Sequence, residues 1–181
     1  MARRKQNHLI HDSERRILIG HALWPVNMTG HDYDAIIVGA GPVGGHLGRI
    51  LSEKGLHVLL LEEHKEIGKP FQCAGLVTPS AMNRVGLHDS VLTDVWGARI
   101  HSPLGTRVEI GEPSILRTHV VCRKLFDEGC VRQAIEAGAT LWVDSKPTDA
   151  EVDDEGVTVS IQREGKDLKL RCKLLCGADG V

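Results

Sequence analysis

Ala35-Ile36-Ile37-Val38, followed at once by Gly39-Ala40-Gly41-Pro42-Val43-Gly44, decides the fold of this chain. An unbroken apolar run with no polar alternation predicts a strand buried on both faces. The glycines carry the spacing Gly39-x-Gly41-x-x-Gly44. In that spacing the first glycine permits a tight strand-to-helix turn, the second lets a pyrophosphate approach the backbone, and the third lets the helix pack close to the strand. Pro42 suits the first turn of a helix and Gly55 its C-terminal stop, so a helix is predicted from Pro42 to Lys54. Val58-Leu59-Leu60-Leu61 reads as a second buried strand, ending at Glu62 and Glu63. This is one β-α-β unit, whose helix N-terminus offers free N–H groups and a partial positive charge to phosphates. A lone Gly-x-Gly-x-x-Gly is a weak signal. Between a buried strand and a helix, with an acid closing the next strand, it is the setting of dinucleotide binding. Glu62 stands where a carboxylate accepts hydrogen bonds from adenosine ribose hydroxyls, and Glu63 reads as its solvated neighbour.

Downstream, Glu66 to Val77 reads as a loop entering a helix. Ala98-Arg99-Ile100-His101 and Arg107-Val108-Glu109-Ile110 flank a Ser-Pro-Leu-Gly turn and predict a hairpin. Val120-Val121 ends another strand. Lys124 to Ala137 is a predicted amphipathic helix with Phe126, Cys130, Ala134 and Ala137 on one stripe, stopped by Gly138. Thr140 to Val143 is a strand. Val157, Val159 and Ile161, then Leu168, Leu170, Cys172 and Leu174, alternate with polar residues around Glu164-Gly165-Lys166. They predict an antiparallel hairpin that leads into Gly177-Ala178-Asp179-Gly180.

The 181 residues suffice for one ordinary domain, and 3% aromatic content leaves the core to aliphatic side chains. A net charge of -2, with no basic stretch interleaved with aromatics, argues against a nucleic-acid partner. The five cysteines show no Cys-x-x-Cys pair and read as reduced thiols, with Cys122, Cys130, Cys172 and Cys176 on apolar stripes. The ten histidines have no metal-ligand spacing, so no metal is expected, and His46 reads as helix packing. No apolar run approaches the ~20 residues of a membrane span. Met1 to His31 differs from the rest. It carries Arg3, Arg4, Lys5, Arg15 and Arg16, and its apolar piece Ile17–Trp24 is broken by Gly20 and His21. That does not suit a signal peptide; a transit peptide stays open, with Asp12 and Glu14 counting against it. Met28 is a natural start, and residues 1–27 read as an upstream extension. The expected organisation is a poorly ordered extension, 1–31, and an incomplete cofactor-binding domain, 32–181, with a β-rich insertion over 92–122. The stop just after Gly180, with nothing to cover that turn, reads as a truncation.

Three later blocks distinguish among dinucleotides: Pro70-Phe71-Gln72-Cys73-Ala74-Gly75-Leu76-Val77, Arg123-Lys124-Leu125-Phe126-Asp127, and Gly177-Ala178-Asp179-Gly180. In order and spacing, these and the Gly39 motif resemble the flavoproteins that include para-hydroxybenzoate hydroxylase. Within that group the Pro70–Val77 block resembles the geranylgeranyl reductase family, digeranylgeranylglycerophospholipid reductases included. The resemblance covers residues 32–181 and implies FAD as cofactor. It assigns the ADP half of FAD to Gly39, Gly41, Gly44 and Glu62. It lays Cys73 and Ala74 along the flavin and Arg123 against the cofactor. A loop at Pro147 would touch the adenine end through its backbone. Asp179 falls on the family's Asp-Gly motif, associated with the pyrophosphate and with pyridine-nucleotide access. The family often reads Cys-Gly-Glu-Gly where this chain has Cys73-Ala74-Gly75-Leu76, a departure that affects residues beyond Ala74.

The chain therefore reads as α/β: a Rossmann-like FAD-binding β-α-β domain with an antiparallel β insertion, truncated at the C-terminus. By the resemblance, the whole enzyme reduces carbon–carbon double bonds of a polyprenyl lipid with hydride from the reduced flavin. Cys73 is the candidate catalytic residue, positioning the double bond or relaying a proton. Nothing in the sequence visibly shifts its pKa, so a protonated thiol is expected at neutral pH. The electron donor is NAD(P)H or a ferredoxin, between which the sequence does not choose. A cytoplasmic location is expected, with peripheral membrane contact left open. Two other readings stand: an FAD-dependent aromatic-ring monooxygenase, which needs the Gly39, Arg123 and Asp179 motifs but not Cys73, and an inactive nucleotide-binding fragment.

Overall fold

A computed structural model of the chain describes residues 30–70 and 73–180. The expected extension lies outside these residues except for Gly30 and His31, and His31 is bonded through Nε2 to the Glu155 carbonyl at 2.8 Å. The first unit forms as its pattern predicts: β1 (Tyr33–Val38), α1 (Pro42–Glu53) and β2 (Val58–Leu61). β1 and β2 pair in parallel, Ala35 beside Val58 and Val38 beside Leu61.

Both faces of this pair are covered, which is why its side chains do not alternate. On one face Ala35, Ile37, Val58 and Leu60 pack with Val131 and Ala134 of a later helix. On the other, Ile36, Leu59 and Leu61 pack with Val157, Val159, Ile161 and Cys172. Each of the buried Val, Leu and Ile side chains contributes about 1.5–3 kcal/mol through burial.

Next come β3 (Leu76–Val77), α2 (Pro79–Val85), β4 (Val91–Val95), β5 (Gly97–His101), β6 (Arg107–Gly111) and β7 (Thr118–Val121). Strands β3, β7 and β4 form a small antiparallel sheet, and β5–β6 stand apart as a hairpin with the expected Ala98–Ile110 pairing. Helix α3 (Arg123–Glu136) buries Phe126, Cys130 and Ala134 as predicted. It meets α1 closely because α1 offers glycines there: a Cβ on Gly45 would lie 2.9 Å from the Cys130 carbonyl carbon.

The chain closes with β8 (Thr140–Trp142), β9 (Ser145–Asp153), β10 (Gly156–Arg163) and β11 (Lys166–Gly177). The six-stranded sheet has the order β8-β2-β1-β11-β10-β9. Strand β11 does two jobs. Its first part pairs antiparallel with β10, and from Cys172 to Gly177 it runs parallel to β1. The expected loop at Pro147 is a correction: Pro147 belongs to β9, opposite Ile161 and beside a register shift. A proline has no donor for the ladder, and the sheet edge is where a strand tolerates one.

Candidate functional site

The C-terminal ends of β1, β2 and β11 converge on the N-terminus of α1. A ligand crevice is expected there, where the sheet's connections diverge from β1 to neighbours on either side. A cleft of about 670 Å³ opens at that point, lined by Gly39, Gly41, Glu62, Cys73, Arg123, Pro147 and Asp179 among others. Residues drawn from five separate stretches of sequence thus meet in one cleft. Gly44 packs against Gly39 and, like Ala74, is outside the lining.

The glycine turn is shaped by contact and by vacancy. Gly39 has φ +97°, and a Cβ there would sit 2.5 Å from the Ala178 carbonyl oxygen. A Cβ on Gly44 would collide with the Gly39 carbonyl oxygen. Gly41 differs: no protein atom lies within 4 Å of where its Cβ would be, so that space opens into the cleft. α1 has no side-chain N-cap and no acidic residue in its first turn. Its first N–H groups are therefore available to an anion, with the helix dipole behind them.

Glu62 is held at the far lip. Its Oε2 accepts from the Ala40 N–H at 3.2 Å, and its Oε1 accepts from the His64 N–H at 3.0 Å and from His64 Nδ1 at 2.7 Å. The backbone beneath is pinned to the turn after β8: Glu62 N donates to Trp142 O, Ser145 N to Glu62 O, and Asp144 N to His64 O. Glu63, expected to be a solvated charge, is about half exposed and pairs with Lys146 at 3.2 Å. His64 and Lys146 are site residues that the sequence did not reveal. A histidine or lysine on a polar stretch carries no signal until the turn folds it against a carboxylate.

At the other end, Arg123 opens α3 and forks onto Asp127 through Nε at 2.9 Å and Nη2 at 2.8 Å. Asp127 is buried, so this pair fixes the guanidinium at the cleft wall. Cys73 is exposed beside it, and the Gly75 N–H reaches its Sγ at 3.5 Å. That N–H, followed by the Arg123 guanidinium, pulls the Cys73 thiol below its ordinary pKa. This corrects the expectation of an unshifted thiol: the larger cause is a backbone N–H turned back onto the sulfur two residues on, and the lesser one is Arg123, some fifty residues on in the chain. Phe71 and Gln72 lie outside the described residues. Asp179 is exposed at the mouth, its Cα close under Gly39. A second groove of about 470 Å³ shares Pro42, Val43 and Arg123 with the cleft and is lined mainly by apolar side chains such as Leu76, Val77 and Phe126. Among the described residues no metal-binding cluster occurs.

The family model "FAD binding domain" matches residues 32–181. The chain belongs to that FAD-binding domain family. FAD is accordingly its cofactor. The open space at Gly41, the uncapped donors of α1 and the carboxylate at Glu62 fit a pyrophosphate and ribose in line. The FAD-binding domain is 37% identical to a digeranylgeranylglycerophospholipid reductase of Methanosarcina acetivorans, over 82% of this chain and 38% of that protein. It therefore spans about two-fifths of that relative's length. Among solved structures it is similar to a geranylgeranyl bacteriochlorophyll reductase-like protein of Thermoplasma acidophilum, with TM-score 0.72 and 27% identity over 82% of this chain and 39% of that one. It is also similar to the anhydrotetracycline hydroxylase OxyS of Streptomyces rimosus, with TM-score 0.67 and 28% identity over 82% of this chain and 32% of that one. The resemblance to geranylgeranyl reductases read from the Pro70–Val77 block agrees with the first two.

Proposed function

We propose that this FAD-binding domain serves an oxidoreductase that saturates carbon–carbon double bonds in a polyprenyl lipid. The observation that carries the reading is the Cys73 end of the cleft, taken with the similarity to proteins named digeranylgeranylglycerophospholipid reductase. FAD, when bound in reduced form, supplies a hydride at its flavin ring. The residues of this chain hold and orient. Gly41 and the α1 N-terminus take the pyrophosphate, and Glu62 takes the ribose. Gly39 and Gly44 keep the turn narrow. Asp179 sits at the mouth, on the pyrophosphate side, and the β9 backbone at Pro147 borders the adenine.

Cys73 sits where a substrate carbon would approach. Its lowered pKa makes the Sγ–H a readier proton donor, while a smaller fraction of it remains protonated. Proton delivery matters because an isolated alkene accepts hydride poorly, so placement and a donor must act together. The apolar groove beside Arg123, with Leu76 and Val77 on its wall, suits the hydrocarbon of a polyprenyl chain. Electrons come from NAD(P)H or a ferredoxin. A lipid substrate fits a cytoplasmic protein in peripheral contact with a membrane, and among the described residues no helix is long and apolar enough to cross one.

The test uses the polypeptide extended past Val181 to the length of its relatives. Given a geranylgeranyl lipid and a reductant, it should yield saturated product without stoichiometric oxygen uptake, and Cys73→Ser should keep flavin while slowing or blurring the reduction. A second reading, an aromatic-ring monooxygenase, draws on the likeness to the hydroxylase at 28% identity. Oxygen consumed one-for-one with a hydroxylated product would select it.

A further inference from the structure

We infer that His64 is a positioning residue for the adenosine ribose, acting by orienting the Glu62 carboxylate. The inference rests on the reading of this cleft as the ADP half-site.

The geometry is specific. An ionised carboxylate only accepts, so the 2.7 Å contact between His64 Nδ1 and Glu62 Oε1 places the proton on Nδ1. The His64 N–H reaches the same oxygen at 3.0 Å. Oε1 thus has two donors from one residue, while Oε2 has the Ala40 N–H at 3.2 Å. A carboxylate offers about four acceptor positions. With Oε1 filled by His64, the position left by the protein's own donors is on Oε2, the oxygen tied to the glycine turn where the dinucleotide runs. His64 therefore decides which oxygen of Glu62 meets the ribose.

The imidazole is not a loose surface ring. The His64 carbonyl accepts from Asp144 N at 3.0 Å, so its backbone is fixed by the turn between β8 and β9. Its Nε2 lies 4.0 Å from Glu63 Oε1, and Glu63 in turn pairs with Lys146 of β9. The ring is thus flanked by carboxylates and points along the lip of the cleft, which it lines. Its side chain is 44% exposed, so removing it leaves the core untouched. Preorganising an acceptor in this way removes the rotamer loss that Glu62 would otherwise suffer on binding.

The test measures binding to the 181-residue chain by titrating ADP and 2′,3′-dideoxy-ADP against its amide NMR spectrum. His64→Ala should weaken ADP by about three- to tenfold, as expected for losing the one side-chain donor among the three protein hydrogen bonds that hold the Glu62 carboxylate. It should leave dideoxy-ADP unchanged, because that ligand offers no hydroxyl for Glu62. His64→Asn, which keeps a donor near Nδ1, should restore ADP to within about twofold. Should His64→Ala fail to fold, His64→Phe keeps a ring without the donor and carries the same test. Equal weakening of both ligands, or of neither, would overturn the role of His64 while leaving the ADP site standing. A wild-type chain that responds to neither ligand would overturn the site itself.

Discussion

The β1-α1-β2 unit and the β5–β6 hairpin are both legible as local patterns, yet they hold together by opposite means. Ile36, Ile37, Leu59, Leu60 and Leu61 are 0% exposed, sealed by helices on one face and by β10 and β11 on the other. In the hairpin every residue of β6, and all of β5 but Gly97, is exposed. Its order comes from cross-strand pairs: Ala98–Ile110 and Ile100–Val108 on one face, with Arg99 bound to Glu109 at 2.8 Å on the other. A lone two-stranded hairpin is marginal in water. The half of the cleft that grips by backbone is therefore built on the part of the molecule that cannot shift. The β5–β6 hairpin can vary without disturbing it.

The largest effect should separate these regions by stability. Leu60→Ala opens a cavity between α1 and the sheet and should cost about 2–5 kcal/mol. Ile100→Ala, at 53% exposure on the hairpin, should cost no more than about 0.5 kcal/mol. Urea unfolding of both variants checks this, and comparable losses would break the contrast.

Within the buried unit, stability and binding should separate at two glycines. Gly44→Ala drives a Cβ into the Gly39 carbonyl and should destabilise the fold by about 1–3 kcal/mol. Gly41→Ala meets no protein atom, at an extended backbone that any residue adopts, and should leave the melting temperature nearly unchanged. It fills the space proposed for pyrophosphate, so ADP binding should fall by about tenfold or more, on the order of 1.4 kcal/mol. An unchanged ADP affinity in Gly41→Ala would place the phosphates elsewhere.

The same contrast explains what could be read in advance. β1, the glycine turn, α1 and β2 are fixed by short-range chemistry, and their bounds fell within a residue or two of the pattern. The stripe on α3 at Phe126, Cys130 and Ala134 is buried as read, because Phe126 and Cys130 pack on α2 and β7 and Ala134 packs on the sheet core. Strand β9 was hidden: Thr148-Asp149-Ala150-Glu151 is polar on both faces, as an exposed edge strand can be, and Pro147 imitates a loop. Glu62 and Arg123 were legible from motif. His64 and the lowered thiol of Cys73 were not, because each depends on how a local turn aims one group at its neighbour two residues away, Glu62 for His64 and the Gly75 N–H for Cys73.

Two smaller effects sharpen the comparison. Burial and the nearby Asp127 carboxylate push Cys130 up to about 11, whereas Cys73 is exposed and lowered. Iodoacetamide at neutral pH should therefore label Cys73 first and leave Cys130 until the protein unfolds, and Arg123→Ala should slow the labelling of Cys73. Mass mapping of the modified thiols checks this. Labelling of Cys130 in the native protein would show that α1 and α3 part readily.

The smallest effect is in acid. The Arg171 guanidinium, with the Glu155 and Gly156 N–H groups, lowers Asp153 from 3.8 to about 2. A carboxyl lowered in the folded state stabilises it above its unfolded pKa. That contribution is lost as the pH falls from about 4 toward 2. Arg171→Met should flatten this part of the stability–pH curve and leave the rest in place, and thermal melts across that range would show it.

On the proposed reading, the buried unit is a ready-made seat for the ADP half of FAD. Calorimetric titration of the 181-residue chain with ADP, FAD and riboflavin tests it directly. ADP and FAD should bind with affinities within about tenfold of each other, a difference under about 1.4 kcal/mol, and riboflavin should give no measurable heat. Riboflavin binding as well as FAD, or a chain that purifies with stoichiometric flavin while ignoring ADP, would contradict the account.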